Sequence, residues 1–156
     1  QKGAQGAVRV INTSSSAAEL TPGLDWENLQ MLEDHKASPA YCNVKLANLM
    51  FTRSLGQVLA GDGIVVKAVH PGVVATNFSS YGDDELQSIV ATMKDVEISP
   101  QQGADTLVWL ATEPELPADP YFYERAAYAV PPFALDDANC ARLWMETEAI
   151  IARTTA

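Results

Sequence analysis

The feature that most constrains the fold is a long helical segment framed by two short runs of β-branched residues. The runs are "AVRVIN" at Ala7–Asn12 and "GIVVKAV" at Gly63–Val69, and the segment between them, Ala40–Ala60, has the composition of a helix. Both runs are mostly apolar without clean alternation, which is typical of strands that are covered on both faces. A strand, a helix and a strand of these lengths predict a crossover unit with parallel strands, and therefore an α/β fold.

The later part of the chain predicts further elements of the same kind. One helix has a well-marked start, because Ser99 is suited to cap it and Pro100 suits its first position. Gln102 completes a capping box before an apolar run that reaches Ala111. The remaining elements are predicted by pattern alone: helices over Asp83–Met93 and Asp136–Ile151, and a short third strand at Tyr121–Tyr123.

Composition limits what the chain is able to bind. A length of 156 residues with 47% hydrophobic residues predicts one globular domain over residues 1–156. The formal net charge is −10, and the lysines and arginines are scattered singly, so no basic stripe exists to hold a nucleic-acid backbone. No apolar run approaches the length of a membrane span, and we expect a cytoplasmic protein with no membrane segment in this chain.

Cysteine and histidine usage argues against a metal site. Cys42 and Cys140 lie far apart in the sequence, form no C-x-x-C pair and have no histidine at ligand spacing, so two free thiols are expected. His35 lies in a charged loop and His70 precedes a proline at a strand end. A zinc site would have to recruit carboxylates from distant segments, and we predict no metal.

The long helix carries an unusual polar stripe. Tyr41, Lys45, Asn48 and Thr52 share one face, whereas the rest of the helix is apolar almost all round. A free tyrosine hydroxyl has a pKa of about 10, and a cationic ammonium one helical turn away stabilises the phenolate and lowers that pKa. Such a pair is suited to exchange protons with a substrate, although the same spacing also arises by chance on helix surfaces.

Two further polar segments are expected to converge on this stripe. The first strand ends in "INTSSSA", which places Ser14, Ser15 and Ser16 just beyond its carboxyl end. The second ends in "HPGVVATNF", where the chain breaks at a proline and glycine and Thr76 follows. Open α/β sheets bind their ligands at the carboxyl ends of their strands, so the three segments predict one ligand crevice.

In these blocks the sequence resembles the short-chain dehydrogenase/reductase family, and within it the retinol dehydrogenase-like branch. The resemblance runs in order over most of the chain. The blocks that carry it are "RVINTSSSA" at Arg9–Ala17, "AYCNVKLANLMFTRSL" at Ala40–Leu55, "VHPGVVATNF" at Val69–Phe78, "GADTLVWLA" at Gly103–Ala111 and "ARLWMETE" at Ala141–Glu148.

The resemblance implies an oxidoreductase that transfers a hydride between NAD or NADP and a small alcohol, aldehyde or ketone. It implies that Tyr41 is the general acid/base, that Lys45 supports it and holds the nicotinamide ribose, and that Ser15 hydrogen-bonds the reacting carbonyl. The choice among Ser14, Ser15 and Ser16 rests on family register. The resemblance also implies a cofactor-lining segment made up of Pro71, Gly72, Val74 and Thr76.

The match covers the C-terminal, catalytic half of a doubly wound, Rossmann-type fold. We find no Gly-rich turn between a strand and a helix and no acidic residue placed for a ribose, so the N-terminal cofactor-binding half is absent from this chain. The family's catalytic asparagine is missing with it, and Val44 stands where the family often has a serine. We therefore expect a fragment, or one part of an assembly whose other half is on the same or a separate polypeptide.

Several alternatives remain open at this stage. The aromatic residues Phe78, Tyr81 and Tyr121–Tyr128 are equally suited to line a pocket for a lipophilic substrate or to pack in the core. A truncated or degenerate homologue, acting as a non-catalytic interaction module, would keep the same motifs by descent. The apolar helix suits a homo-oligomer, which the resemblance implies, or docking against the missing half. A serine hydrolase is disfavoured because no G-x-S-x-G segment is present.

Overall fold

The protein folds around a mixed sheet flanked by helices on both faces. The structure is a computed structural model that describes residues 8–155. Within that range the sheet has the order β1-β2-β3-β4, formed by β1 (Val8–Thr13), β2 (Ile64–Val69), β3 (Tyr121–Tyr123) and β4 (Ala126–Ala127). β1 pairs in parallel with β2, and β2 with β3, whereas β4 runs antiparallel to β3. The predicted α/β class and parallel crossover are confirmed.

Five helices surround the sheet in the part of the chain that the structure describes. Their bounds are α1 (Ala37–Val58), α2 (Asp84–Ala91), α3 (Pro100–Thr112), α4 (Pro132–Leu135) and α5 (Asp137–Thr154). The predicted positions differ from these bounds by a few residues at most. The four-residue α4 and the two-residue β4 were not predicted, because neither is long enough to show a period. Ala7, the first residue of the predicted first strand, lies outside the described residues.

Alternation along the strands divides the core into two layers. Ala68 and Tyr121 face one side and pack with α1, α4 and α5, around Leu46, Leu49, Met50, Ala134, Cys140 and Leu143. Val69 and Phe122, their neighbours in sequence, face the other side and pack with Leu110 of α3. The sheet is therefore buried on both faces, which explains why its strands are apolar without alternation.

Long-range hydrogen bonds from two basic side chains fix the ends of α3 and β3. Arg9 of β1 donates to the carbonyl oxygens of Leu110 (2.7 Å) and Glu113 (2.6 Å), the last groups of α3 that lack a helical partner. Lys67 of β2 is buried and donates to three successive carbonyls in the loop before β3, those of Pro117, Ala118 and Asp119, at 2.7 to 3.0 Å.

The predicted capping box at the start of α3 is present. The Ser99 hydroxyl accepts from the Gln102 backbone N–H (3.3 Å), and the Gln102 side chain accepts from the Ser99 N–H (2.9 Å). The start of α3 is tied to the segment that follows β2, because Ile98, the residue before Ser99, is hydrogen-bonded to that segment. None of the helices within residues 8–155 is long and apolar enough to cross a membrane.

Candidate active site

A cavity of about 270 Å³ lies beyond the carboxyl ends of β1 and β2. Six of the seven predicted site residues line it: Ser15, Tyr41, Pro71, Gly72, Val74 and Thr76. Its remaining walls are mainly apolar and come from the helical turn after Ser15 and from the segment between Thr76 and α3, including Leu20, Phe78, Leu86, Ile89, Val90 and Met93. The convergence of three segments, expected from the ends of parallel strands, is present in the structure.

The three serines after β1 have different surroundings. Ser14 is 1% exposed, and its hydroxyl donates to the carbonyl oxygen of Lys45 at 2.7 Å, which ties the strand end to α1. The Ser15 hydroxyl accepts from the Ala17 N–H at 3.2 Å and caps the short helical turn Ser16–Leu20. Ser15 and Ser16 line the cavity, whereas Ser14 is occupied in packing. Of the three, Ser14 is therefore the least available to a ligand.

The polar stripe of α1 faces the end of β1. The side chains of Lys45, Asn48 and Thr52 form hydrogen bonds there. The Lys45 ammonium donates to the carbonyl oxygen of Thr13 at 3.3 Å, and the Asn48 amide donates to the same oxygen at 3.1 Å. Thr52, 2% exposed, accepts from the Asn12 side chain at 2.9 Å and donates to the Asn48 carbonyl at 2.7 Å. These bonds remove the cost of burying polar groups on an otherwise apolar helix.

Tyr41 lies between Lys45 and Phe78. The Lys45 ammonium is 5.4 Å from the centroid of the Tyr41 ring, and the Phe78 ring centroid is 4.8 Å from it with an interplanar angle of 54°. Burial lowers the pKa of Lys45, because removal from water disfavours its charged form. Lys45 does not line the cavity itself, although its ammonium lies beside the ring of Tyr41, which does.

The segment after β2 is held in a conformation that only glycine adopts readily at one position. Gly72 has φ +88°, and its N–H donates to Nδ1 of His70 at 3.3 Å. Val74 forms a parallel bridge with Ile98, and the Thr76 hydroxyl accepts from the Phe78 N–H at 3.3 Å. After the break at the end of β2, the segment therefore pairs with Ile98 at Val74, and beyond Thr76 it leads to Phe78, which also lines the cavity.

His70 is a cavity residue that sequence reasoning assigned only to the strand edge. Its backbone N–H does extend the β2–β3 pairing by donating to the Phe122 carbonyl at 2.9 Å. Its ring is buried, stacks on Tyr123 at 4.7 Å and also lines the cavity. Burial lowers the pKa of His70, with the charge of Glu19 acting in the opposite direction, so the neutral ring is favoured.

The aromatic residues take different roles. Phe78 lines the cavity, whereas Tyr121 is in the core and Tyr128 packs against that core. The side chain of Tyr81 lies outside what the structure describes. Cys42 also lines the cavity, and burial raises the pKa of its thiol. Within residues 8–155, no group of three or more His, Cys, Asp or Glu side chains is arranged to hold a metal ion.

The chain is similar in sequence to several retinol dehydrogenases. The chain is 31% identical over 156 residues to mouse retinol dehydrogenase 13, which covers 95% of the chain. It is 30% identical to human retinol dehydrogenase 13 over 92% of the chain, and 31% identical to human retinol dehydrogenase 12 over 87%. The chain spans about half the length of these relatives, between 43% and 46%. No protein-family profile matches it.

A solved structure has a similar fold. The crystal structure of an uncharacterized protein from Mycobacterium paratuberculosis superposes with a TM-score of 0.64 and 29% identity, over 90% of this chain and 49% of that one. Both comparisons match nearly the whole of this chain to about half of a longer protein. The chain belongs to the short-chain dehydrogenase/reductase family, in its retinol dehydrogenase-like branch, and corresponds to the C-terminal half of that Rossmann-type fold.

Proposed function

We propose that the chain is the catalytic part, one domain over residues 1–156, of an NAD- or NADP-dependent oxidoreductase. The reaction is hydride transfer between the cofactor and a lipophilic alcohol, aldehyde or ketone, with Tyr41 as general acid/base. The observation that carries the proposal is the meeting of Tyr41, Ser15 and the segment Pro71–Thr76 in one cavity, with the Lys45 ammonium 5.4 Å from the Tyr41 ring. Membership of a family of dehydrogenases supports the reaction class.

The proposed roles follow from the position of each group. Tyr41 exchanges a proton with the substrate oxygen, and the Lys45 ammonium, which lies beside the Tyr41 ring, stabilises the phenolate that forms. Ser15 lies at the cavity wall, where its hydroxyl is able to donate to the substrate oxygen while it accepts from the Ala17 N–H. The nicotinamide supplies hydride transfer when it is bound, and the protein supplies orientation and proton handling.

The cavity fits one end of a nicotinamide cofactor. Gly72, which has a positive φ, and Thr76, which carries a hydroxyl, both line the cavity. Tyr41 and Lys45 are placed to contact the ribose by the family pattern. At about 270 Å³ the cavity is smaller than ligand pockets in general, which span about 300–1,000 Å³. The cavity suits the nicotinamide end of the cofactor and the reacting part of a substrate. The adenine end of the cofactor would have to be bound by another part of the protein.

Apolar walls favour a lipophilic substrate. Phe78, Leu86, Ile89 and Met93 surround the side of the cavity that faces away from the sheet. Glu97 is the one acidic residue among the described lining residues, and no lysine or arginine joins it there. A neutral carbonyl or alcohol with an apolar body therefore fits better than a carboxylated one, since an anion would meet Glu97 without a compensating cation.

The partner that completes the site is the N-terminal half of the fold, on the same or a separate polypeptide. Among the described residues, β1 is an edge strand with a neighbour on one side only. On α1, Val44, Phe51 and Val58 recur every seven residues and are 56%, 42% and 60% exposed, which makes one apolar stripe along the helix. The Phe51 ring already stacks on Trp144 of α5. A further strand beside β1 would pair its open edge, and a further helix against α1 would cover Val44 and Val58. Pairing of two copies through α1 is the competing arrangement.

Tyr41→Phe in the assembled protein tests the proposal. We expect kcat for a lipophilic carbonyl substrate to fall by at least about 100-fold, because the proton donor is lost. Cofactor binding should be retained, since the ring and its contact with Phe78 remain. Tyr123→Phe is the matched control, because Tyr123 carries a hydroxyl that lies outside this cavity, and it should leave kcat unchanged.

Two results would overturn the proposal. If Tyr41→Phe keeps normal turnover, the general acid/base is another group. If the assembled protein binds no nicotinamide cofactor and reduces no carbonyl substrate, the non-catalytic alternative is correct, and the motifs are retained without the reaction.

A further inference from the structure

The segment Pro71–Thr76 is held from the side by the residues that begin α3. The Ile98 N–H donates to the Val73 carbonyl at 2.8 Å, and the Ala75 N–H donates to the Ile98 carbonyl at 2.9 Å. These two bonds fix the backbone on both sides of Val74. The side chain of Ile98 also lies against Gly72, where an added Cβ would meet the Ile98 Cδ1 at 2.9 Å.

Gly103, in the first turns of α3, makes the second contact with this segment. It is buried, and a Cβ built on it would lie 2.5 Å from Cγ2 and 3.2 Å from Cγ1 of Val74, and 3.5 Å from the carbonyl oxygen of Pro71. Side chains do not approach to 2.5 Å, so any larger residue at position 103 has to displace Val74. The position of α3 relative to Val74 is itself fixed, because the capping box at Ser99 directly follows Ile98.

Val74 is poorly able to relieve such a contact by itself. A β-branched side chain has two methyl groups on Cβ, so rotation about χ1 moves one methyl away and brings the other closer. Both Cγ atoms of Val74 already lie within 3.2 Å of the added Cβ. The displacement would therefore pass to the backbone of Val73–Ala75, which leads directly to the cavity wall at Thr76.

We infer that Gly103 is a positioning residue for the nicotinamide-lining segment: its missing Cβ sets how far Val74 and Pro71 stand from α3, and so where they lie in the cavity. This inference rests on the proposed function, because it concerns the placement of the nicotinamide opposite Tyr41. Gly103 itself does not line the cavity and acts through Val74.

Gly103→Ala tests the inference in the assembled protein. We expect kcat to fall at least about tenfold, since a misplacement of about 1 Å is enough to slow a reaction by about 100-fold. Binding of ADP-ribose, the cofactor without its nicotinamide, should be unchanged because that part is held elsewhere. Gly56→Ala is the matched control: it also replaces a helical glycine, but its added Cβ meets only the Cβ of Val66 at an ordinary 3.8 Å. It should leave kcat unchanged.

Val74→Ala provides the rescue. It removes both methyl groups that the alanine at position 103 would meet, so Gly103→Ala should lower kcat by less than about twofold in the Val74→Ala background. A loss of kcat that is equal in both backgrounds, or an unchanged kcat in the single variant, would overturn the inference. If the single variant does not fold, the comparison of the double variant with Val74→Ala still decides.

Failure of the proposed function has a separate signature. An unsubstituted protein that turns over no carbonyl substrate overturns the proposed function and this inference with it. Normal turnover in the unsubstituted protein, combined with an unaffected Gly103→Ala variant, overturns only the role of Gly103. Thermal unfolding gives the Tm of each variant, and the kinetic assays are run well below that temperature. A lower kcat under those conditions reflects a changed geometry of the site and not a loss of folded protein.

Discussion

Two stripes on the same helix behave in opposite ways. The polar stripe of α1, formed by Tyr41, Lys45, Asn48 and Thr52, turns towards the end of β1, and its buried members are hydrogen-bonded there. The apolar stripe, formed by Val44, Phe51 and Val58, points away from the core and remains exposed over about half of each side chain. A helix with satisfied polar groups and uncovered apolar ones reverses the ordinary surface pattern.

The difference shows which contacts of α1 are complete within this chain. The contacts that the structure gives Lys45 and Tyr41, with the Thr13 carbonyl, with each other and with the Phe78 ring, all lie within residues 8–155. The covering of Val44 and Val58 is not provided by the described residues. This agrees with a chain that spans about half the length of its relatives.

Lys45→Met is expected to have the largest effect. It removes the cation beside Tyr41, and kcat should fall by at least about 100-fold through loss of phenolate stabilisation. Folding should be little affected, because the Asn48 amide still donates to the Thr13 carbonyl that Lys45 contacts. Steady-state kinetics and thermal unfolding of the same preparations measure both. A variant with normal kcat would remove Lys45 from the proposed mechanism.

Thr52→Val tests the structural end of the polar stripe. The substitution keeps the shape of the side chain but leaves the Asn12 amide without its acceptor, and Thr52 is fully enclosed. The free energy of unfolding should decrease by about 1–3 kcal/mol. Denaturant unfolding measures the change, and Thr112→Val serves as control, since the Thr112 hydroxyl is exposed and donates only within its own helix. Equal losses in the two variants would contradict the role assigned to this buried bond.

His70 makes the stability of the folded protein depend on pH. Its pKa in the folded protein is lowered from 6.5 by burial, so between these two values the unfolded chain binds more protons than the folded one. The stabilisation from the neutral ring is therefore complete above about pH 6.5 and is lost as the pH falls through the folded-state pKa. Unfolding at several pH values measures the slope.

His70→Asn is the matched variant for that measurement. An asparagine oxygen is able to replace Nδ1 as the acceptor for the Gly72 N–H, but it does not titrate. The other acidic and basic groups of the chain are unchanged between the two proteins, so their contributions cancel in the difference. An identical dependence on pH in both proteins would show that His70 has no part in it.

Val44→Ser together with Val58→Ser is expected to have the smallest effect on the stability of this chain. Both side chains are mostly exposed, so the free energy of unfolding should change by less than about 0.5 kcal/mol for each. If the N-terminal half covers this stripe as proposed, association with it should nevertheless weaken, because the same methyl groups would be buried there. Sedimentation or titration calorimetry with that half measures this second effect. A large loss of stability in the isolated chain would mean that the stripe is already covered.

The sequence was sufficient for the features that depend on local spacing. The β1-α1-β2 crossover and the capping box at Ser99 follow from patterns within a few residues, and both are present. The sequence did not distinguish Ser14 from its neighbours, because the bond from Ser14 to the Lys45 carbonyl joins residues 31 apart. It also missed His70 as a cavity residue, and the contact of Gly103 with Val74, since both depend on how distant segments pack.

The apolar wall of the cavity was only partly predictable from the sequence. Leu86, Ile89, Val90 and Met93 recur at helical spacing on and just after α2, and that period is visible in the sequence. What the spacing does not reveal is which surface the apolar face covers. Here it covers the carboxyl ends of the strands rather than the core, so the same pattern that usually indicates packing contributes to a cavity.

The most direct test of the proposed hydride transfer is the fate of the transferred hydrogen. The assembled protein is incubated with a lipophilic ketone or aldehyde and with reduced NAD and NADP, each deuterated at the transferable position of the nicotinamide. The proposed hydride transfer predicts that deuterium appears on the former carbonyl carbon of the alcohol, and that Tyr41→Phe slows its appearance by at least about 100-fold while the cofactor still binds. Binding of the cofactor without transfer of deuterium in the unsubstituted protein would contradict the proposed reaction.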